Sequence, residues 1–265
     1  MTSAPTSATA TDDAINSRPP FWVPLILLIT ASLAVRVGDF DHFFQRKFWS
    51  ANGGWHLEDN GWVQFLYQYG SWPALIFAGS SLVVCISSLF APGLKPKRFF
   101  CGFIVIALIV GPGFLVNTVF KGFYGRPRPR QVIEFGGSQV FRPLGEPTFD
   151  SRSKSFPSGH ASMGFFWFAP SVFLWQRHRR IAISFAVVAL FHGGIMSIGR
   201  MAQGGHWFSD NLWAAGIVYL SSWAIYRIAC SSPFKQNTRF PHTNSPSRNE
   251  TVSIDYREKT GTGAG

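Results

Sequence analysis

The chain has 265 residues, of which 46% are hydrophobic, 16% are aromatic and only 14% are charged. So small a charged fraction leaves too little polar surface to cover a water-soluble globule of this size. The apolar residues are also gathered into long runs, which is typical of segments that lie in a bilayer. The composition therefore excludes an ordinary soluble domain and predicts a membrane protein.

A formal net charge of +11 raises the question of nucleic-acid binding. The basic residues do not form a stripe interleaved with aromatic residues, as such binding requires. They fall between and after the apolar runs, where membrane proteins keep cytoplasmic cations or bind anionic head groups. The three cysteines, Cys85, Cys101 and Cys230, are odd in number and irregularly spaced. They support neither a disulfide framework nor a thiolate metal site.

The chain begins with residues 1–20, a stretch rich in Ala, Ser and Thr that ends in two prolines. This composition predicts a disordered leader, and it lacks the basic start of a secretory signal. The first apolar run, residues 21–37, is interpreted as an uncleaved membrane anchor. Residues 39–68 are aromatic and punctuated by glycine, a pattern typical of an interfacial loop or surface helix.

Five further apolar runs follow, at about residues 71–91, 99–120, 161–175, 181–198 and 210–229. Several of them approach the roughly 20 residues that a helix needs to cross the hydrocarbon core. Together with the first run they predict an all-α fold, a bundle of six transmembrane helices that forms one domain over residues 21–230. Residues 231–265 are polar and rich in Pro, Ser, Thr and Gly, which predicts a disordered tail.

Two short connections carry basic residues and no acidic ones, namely Lys95, Lys97 and Arg98 in one and Arg177, Arg179 and Arg180 in the other. By the positive-inside rule both are cytoplasmic, and so are the two termini. The long connection between the third and fourth helices then faces outward, although it too is rich in cations. This predicts an inner-membrane protein whose extracytoplasmic face binds something anionic, and phosphate would account for the excess.

Three polar clusters border that predicted outer face. They are the segments 121–130 (Lys-Gly-Phe-Tyr-Gly-Arg-Pro-Arg-Pro-Arg), 155–160 (Ser-Phe-Pro-Ser-Gly-His) and 199–210, which runs from Gly-Arg to Asp. Helix counting alone places all three on one side of the membrane. Within the first cluster, Arg126 and Arg130 fit head-group contact and plain solvation equally well.

The clusters supply what phosphoryl transfer needs. The transferred phosphoryl group spreads negative charge over its equatorial oxygens, and fixed cations stabilise it. Lys121, Arg128 and Arg200 provide three such contacts, and the two arginines are able to bind bidentately. Ser158 occupies an N-cap position, and Gly159 after it lets backbone N–H groups approach the phosphate closely.

Two histidines divide the remaining chemistry. His206 and Asp210 are four residues apart and share one face of a helical turn. A carboxylate in that position can accept a hydrogen bond from one imidazole nitrogen and leave the other nucleophilic. His160 can protonate the departing alkoxide as a general acid. This scheme requires neither a metal ion nor a cofactor.

The sequence resembles the type 2 phosphatidic acid phosphatase superfamily over roughly residues 65–230. The resemblance rests on three ordered motifs: Lys121 with Arg128-Pro129, the Pro-Ser-Gly-His of residues 157–160, and Arg200 with His206 and Asp210. The family usually has Ser where this chain has Gly199. The resemblance implies a six-helix membrane core, a lipid phosphate substrate, a phosphohistidine intermediate and metal-independent hydrolysis.

A finer resemblance concerns the alternating Arg-Pro run of residues 126–130, followed by Glu-Phe-Gly-Gly at 134–137. This run is similar to the bacterial branch that dephosphorylates lipid A. A soluble vanadium haloperoxidase shares the three motifs, but six membrane helices argue against it. A lipid phosphotransferase would use the same His206 chemistry and stays open. A non-enzymatic transporter or scaffold predicts ionisable residues in the middle of the membrane, whereas here they gather at one interface.

Overall fold

A computed structural model of the chain describes residues 18–149 and 152–231. Most of the leader and tail predicted at 1–20 and 231–265 lies outside the described residues. Within them the chain is mainly helical, as predicted. One small exception is a two-stranded antiparallel sheet, β1 (Trp49–Ser50) and β2 (Gly54–Trp55), in which Trp49 lies opposite Trp55.

The helices follow in chain order. They are α1 (Trp22–Val37), α2 (Phe40–Gln45), α3 (Gly61–Tyr69), α4 (Trp72–Ser87), α5 (Lys95–Leu108), which continues as a π-helix (Ile109–Phe120), α6 (Lys121–Phe123), α7 (Gly159–Phe165), α8 (Phe168–Leu174), α9 (Arg179–Ala202) and α10 (Phe208–Ser231). Single 3₁₀ turns lie at Pro92–Leu94, Pro129–Gln131 and Ile133–Phe135.

Four helical segments are long and apolar enough to cross a membrane: Gly61–Ser87, Pro92–Phe123, Arg179–Ala202 and Phe208–Cys230. Large apolar side chains such as Val83, Phe191 and Ile228 are exposed on them, as lipid-facing residues are. The shorter α1 has 16 residues, and the fourth predicted helix is divided into α7 and α8. The structure therefore supports four spans by length, and the count of six stays a prediction.

Two prolines account for the irregular helices. Pro170 lies in α8 and has no N–H to donate to the carbonyl of Phe166, where α7 gives way to α8. Pro112 lies within the π-helical stretch, and there the side-chain amide of Asn117 donates a 2.7 Å hydrogen bond to its carbonyl. Each proline thus interrupts a regular helix within an apolar run.

Glycines allow α7 and α9 to pack closely. A Cβ atom added to Gly164 would lie 2.7 Å from the Cα of Gly193, and one added to Gly193 would lie 2.2 Å from the ring of Phe165. Small residues at such crossings let helix backbones approach each other. The close contact sets His160, at the start of α7, beside the last turns of α9, which carry Arg200.

The end of the bundle away from the histidines carries the short basic connections. Phe100, near the start of α5, packs on Phe173 of α8 with ring centroids 5.1 Å apart. Phe21 packs on Trp223 of α10 at 4.4 Å, and the Trp223 indole donates to the carbonyl of Pro19. The connection before α5 and the connection after α8 therefore lie at the same end of the bundle, since Phe100 and Phe173 border them. The start of α1 lies there too, beside Trp223 near the end of α10.

A small aromatic core lies at the opposite end. Val132, Phe135 and Trp207 are buried together, and Trp49, Trp55 and Phe141 pack against them. The Trp207 indole N–H donates a 2.8 Å hydrogen bond to the carbonyl of Pro127. This core packs the long connection between α6 and α7 against Trp207, the residue after His206.

Candidate active site

The ring of His206 is buried at this end of the bundle, with 1% of the residue exposed. Its Nδ1 lies 2.6 Å from the backbone carbonyl of Ser155 and 3.7 Å from Oδ2 of Asp210. The sequence predicted the carboxylate as acceptor, but the carbonyl is much closer. Nδ1–H therefore donates to Ser155, and Nε2 is the nitrogen that can attack.

Burial lowers the pKa of His206 to about 3, against the opposing attraction of Asp210. The positive charges of Arg200 and Lys121 also contribute to the lowering. His206 is consequently neutral at physiological pH. A neutral imidazole with its Nδ1 proton held by a carbonyl has the protonation state that a nitrogen nucleophile requires.

The Asp210 carboxylate is fully buried and held from three directions. Oδ1 accepts a 2.6 Å hydrogen bond from Nη1 of Arg126, while Oδ2 accepts from the Ser155 hydroxyl at 2.5 Å and from the Trp207 N–H at 2.9 Å. These contacts engage both oxygens, and Oδ2 lies 3.7 Å from Nδ1 of His206. Asp210 instead supplies a fixed negative charge close to that ring.

Arg126 corrects the sequence interpretation, because it neither faces lipid head groups nor is solvated. Its side chain is fully buried, and Nη2 lies 2.7 Å from Oδ2 of Asp41. Burial lowers the pKa of Arg126, but the attraction of Asp210 and Asp41 outweighs it, and the net direction is upward. Arg130, by contrast, is a surface residue, paired with Glu58 at 3.5 Å with its side chain 42% exposed.

The sequence motifs gave no sign of Asp41. It comes from α2, and its oxygens accept hydrogen bonds from the backbone N–H and the hydroxyl of Ser209 at 2.9 and 2.7 Å. From the same helix, the Gln45 amide donates to the backbone carbonyl of His206 at 2.7 Å. In the sequence, these two residues could have been noticed only as an acid and an amide four positions apart, on one face of a short aromatic helix.

The first two motifs pack directly on each other. Lys121 Nζ lies 3.2 Å from the amide oxygen of Asn117, and a Cβ added to Gly159 would lie 3.0 Å from that Nζ and 2.5 Å from the amide oxygen. Gly159 thus leaves room for Asn117 and for the Lys121 ammonium that Asn117 holds. Ser158 is the N-cap of α7: its hydroxyl accepts from the N–H of Ala161, and its own N–H donates to the carbonyl of Asp210.

Arg200 retains a free donor. It is 6% exposed, and its Nη1 donates a 2.5 Å hydrogen bond to the side chain of Gln203. Its buried Nε has no hydrogen-bond partner within residues 18–149 and 152–231. A Cβ added to Gly205 would lie 2.5 Å from Nη2, so glycine is required there. For Arg128, burial and then the repulsion of Arg130 lower the pKa.

His160 stands at the same site as a neutral ring. Its pKa is lowered to about 4, first by burial and then by the positive charges of Arg200 and Lys121. A phosphate anion bound among these cations would cancel part of their repulsion and let His160 carry a proton. The ring of His160 stacks on that of Tyr67, with centroids 4.8 Å apart and planes at 23°.

Gly199 is the position where the sequence departs from the resembled family. A Cβ added there would meet Leu66 of α3 at 3.6 Å, which is ordinary van der Waals contact. The departure therefore reflects no tight backbone approach. All eight predicted site residues lie at this end of the bundle, where the positive charges of Lys121 and Arg200 lower the pKa of both histidines.

Comparison with known proteins agrees with this geometry. The sequence profile of the PAP2 superfamily matches residues 99–231, which contain all three motifs. The chain belongs to the PAP2 superfamily. The predicted class is confirmed: the protein is a membrane lipid phosphatase, a hydrolase of phosphoric esters.

Three relatives share one name, lipid A 4'-phosphatase. The protein from Francisella tularensis subsp. novicida is 33% identical over 213 residues, which cover 78% of this chain and 91% of the relative. The one from Rhizobium leguminosarum is 31% identical over 43% of this chain and 49% of its own length, and the one from Rhizobium etli is 34% identical over 39% and 40%. No solved structure matches the chain.

Proposed function

We propose that this phosphatase removes a phosphate monoester from lipid A, at the 4' position that the relatives' name specifies. The observation that carries the proposal is a buried, neutral His206 beside Lys121 and Arg200, at the end of a membrane bundle. The likeness to the Francisella protein extends over 91% of that relative, so it covers more than the shared catalytic motifs.

In the first step, Nε2 of His206 attacks phosphorus while the bond between phosphorus and the lipid oxygen breaks. His160 gives its proton to that oxygen, and the lipid leaves as an alcohol. The phosphoryl group remains on Nε2, and Nδ1–H keeps its hydrogen bond to Ser155. The ring is then cationic, and the carboxylate of Asp210, 3.7 Å from Nδ1, stabilises its charge.

In the second step, His160 is neutral and accepts a proton from water. The water oxygen attacks phosphorus, the bond between phosphorus and Nε2 breaks, and inorganic phosphate is released. His206 returns to its neutral form and His160 again carries a proton. Throughout, Lys121, Arg128 and Arg200 hold the equatorial oxygens, and the helix start at Gly159 adds its backbone N–H groups.

We further propose six spans, with both ends of the domain in the cytoplasm and the site on the extracytoplasmic face of the inner membrane. Four segments have spanning length, and α1 and the α7–α8 pair would supply the other two. The basic residues near the starts of α5 and α9 favour this orientation, because they lie away from the histidines.

The test is phosphate release by the purified protein in detergent from lipid A, phosphatidic acid, phosphatidylglycerophosphate and a polyprenyl diphosphate. We expect lipid A to be the preferred substrate and mass spectrometry to show loss of one phosphate, that at the 4' position. The His206→Ala variant is the background control. Preference for another lipid, or loss of the other phosphate, would overturn the proposed substrate.

A companion measurement separates hydrolysis from transfer. Radiolabelled lipid A is incubated with the enzyme in the presence of an excess of unlabelled acceptor lipid. Hydrolysis releases the label as inorganic phosphate, whereas a phosphotransferase moves it to the acceptor. Recovery of the label mainly on the acceptor lipid would show that the protein is a phosphotransferase and contradict hydrolysis.

A further inference from the structure

Tyr67 of α3 lies between two of the site residues. Its ring stacks on the imidazole of His160 at 4.8 Å, and the guanidinium carbon of Arg200 lies 4.8 Å from its centroid. The backbone of Tyr67 also forms a hydrogen bond with the His160 ring. One aromatic residue, outside all three motifs, thus contacts a residue from the second motif and a residue from the third.

Helix α3 is fixed on α9 immediately after Tyr67. The carbonyl of Gly70 lies 2.9 Å from Nε2 of His192, whose Nδ1 accepts a 2.9 Å hydrogen bond from the indole of Trp167. A Cβ added to Gly70 would lie 2.2 Å from the sulfur of Met196, so the two helices are in tight contact there. The position of Tyr67 is therefore set by the bundle, although the residue itself is 46% exposed.

We propose that Tyr67 is a positioning residue for the reaction, holding the His160 imidazole and the Arg200 guanidinium in their working orientations through its aromatic ring. This inference rests on the proposed roles of His160 and Arg200. The ring supplies what the motifs do not, a rigid surface that both groups can lie against.

The chemistry favours an aromatic ring here. Among the residues that the structure describes, Arg200 has no acidic partner and its Nε has no hydrogen-bond partner. A neutral contact is therefore needed that orients the guanidinium without neutralising it. A ring face attracts a cation in this way without adding a negative charge. The same face favours the imidazolium form of His160 that must donate the proton.

Three variants test the role. Tyr67→Leu removes the ring, Tyr67→Phe keeps it and removes only the hydroxyl, and Tyr69→Leu is the matched control. Tyr69 lies on the same helix with 45% exposure, and its ring packs on Phe65 rather than on a site residue. The measurements are kcat and KM for a lipid phosphate and for p-nitrophenyl phosphate, with the inhibition constant of vanadate.

We expect Tyr67→Leu to lose about tenfold or more in kcat on the lipid, and much less on the aryl ester, whose leaving group departs without a proton. Vanadate should bind about two- to fivefold more weakly, because Arg200 is less well held. Tyr67→Phe and Tyr69→Leu should stay close to the wild type on every measure. A loss in Tyr67→Phe equal to that in Tyr67→Leu would overturn the role of the ring.

Equal losses on both esters with unchanged vanadate binding would also overturn the proposal, since they would indicate general structural damage. The vanadate measurement does not depend on which lipid is the substrate. A wild type inactive on lipid A but inhibited by vanadate on the aryl ester would refute the proposed substrate and leave the test of Tyr67 intact.

Discussion

Arg126 Nη1 lies 2.6 Å from Oδ1 of Asp210, and both side chains are completely excluded from solvent. The pair joins the cluster of residues 121–130 to the third motif, while Nη2 of the same guanidinium contacts Asp41 of α2. Asp210 therefore forms its ion pair with Arg126, and the carbonyl of Ser155 orients His206. The site thus differs from a simple serine-protease arrangement, in which a carboxylate orients the histidine.

The buried pair predicts a large effect of Arg126→Leu on folding. The substitution leaves Asp210 and Asp41 buried without their counter-charge, and breaking a buried pair in this way costs about 3–5 kcal/mol. We expect a strong fall in the thermal midpoint of the detergent-solubilised protein. Fluorescence-detected size-exclusion chromatography after heating measures this midpoint. Activity should fall with it.

Arg130→Leu is the matched control, because its pair with Glu58 is exposed. Surface pairs contribute about 0–1 kcal/mol, so this variant should unfold almost as the wild type does. Equal midpoints for the two variants would contradict the interpretation of Arg126 as a buried structural cation.

The two histidines should respond differently to the leaving group. His206→Ala should abolish turnover of lipid and aryl phosphates alike, because it removes the attacking atom. His160→Ala should lose about a hundredfold or more on the lipid, whose alkoxide needs a proton, and much less on p-nitrophenyl phosphate. The measurement is the ratio of aryl to lipid turnover at matched expression, and an unchanged ratio for His160→Ala would refute its role as acid.

Stability should depend on pH through His206. Its pKa in the folded protein is about 3, below the ordinary 6.5, so the unfolded chain binds a proton that the folded chain does not. Stability is then complete above pH 6.5 and is lost as the pH falls from there towards 3, by up to about 1.4 kcal/mol for each pH unit. His160, with its lowered pKa, adds to the loss in the upper part of this range.

The check is the thermal midpoint between about pH 4.5 and pH 8 for the wild type and His206→Asn. The variant cannot titrate at this position, so its midpoint should fall less steeply on acidification. Parallel curves would mean that burial does not hold His206 neutral.

The orientation can be tested by cysteine labelling. In a protein freed of Cys85, Cys101 and Cys230, a cysteine is introduced at Val140 or at Lys97, both of them exposed. An impermeant maleimide should label intact spheroplasts at position 140 only, and position 97 should react after lysis. Labelling of both from the same side would rule out the proposed topology.

In the proposed mechanism Lys121, Arg128, Arg200 and a helix start stabilise the phosphate, so no metal ion is needed. Activity should therefore survive dialysis against EDTA, and added Mg²⁺ should not raise it. Vanadate, which adopts the trigonal-bipyramidal shape of the transferred phosphoryl group, should inhibit competitively. An enzyme that loses activity in EDTA and regains it with Mg²⁺ would require a different mechanism.

The sequence predicted the helices well where hydrophobic runs were unbroken. The predicted helix at residues 181–198 corresponds to α9 (Arg179–Ala202), and the one at 210–229 corresponds to α10 (Phe208–Ser231). The division into α7 and α8 was missed, although Pro170 was a readable signal. Hydropathy records where a chain is apolar and is insensitive to a single missing N–H group, so it overlooks such breaks.

The site residues in the three motifs were found because their spacing along the chain is itself the signal. Asp41 and Tyr67 were not, because what makes them relevant is contact with residues 85 and 93 positions or more away, and no spacing encodes such contacts. Arg126 was placed wrongly for the same reason. The sequence shows its charge, but the two carboxylates that pair with it come from distant segments.

The buried network has a consequence for substrate charge. Asp41 and Asp210 together outweigh Arg126 by one negative charge, and Lys121, Arg128 and Arg200 contribute three positive ones. The sum over these six side chains is therefore a charge of +2 while both histidines are neutral. A phosphate monoester carries about the opposite charge at neutral pH. A phosphodiester carries a single charge and would balance only one of the two, so we expect these six side chains to favour terminal phosphates over the internal linkages of membrane lipids.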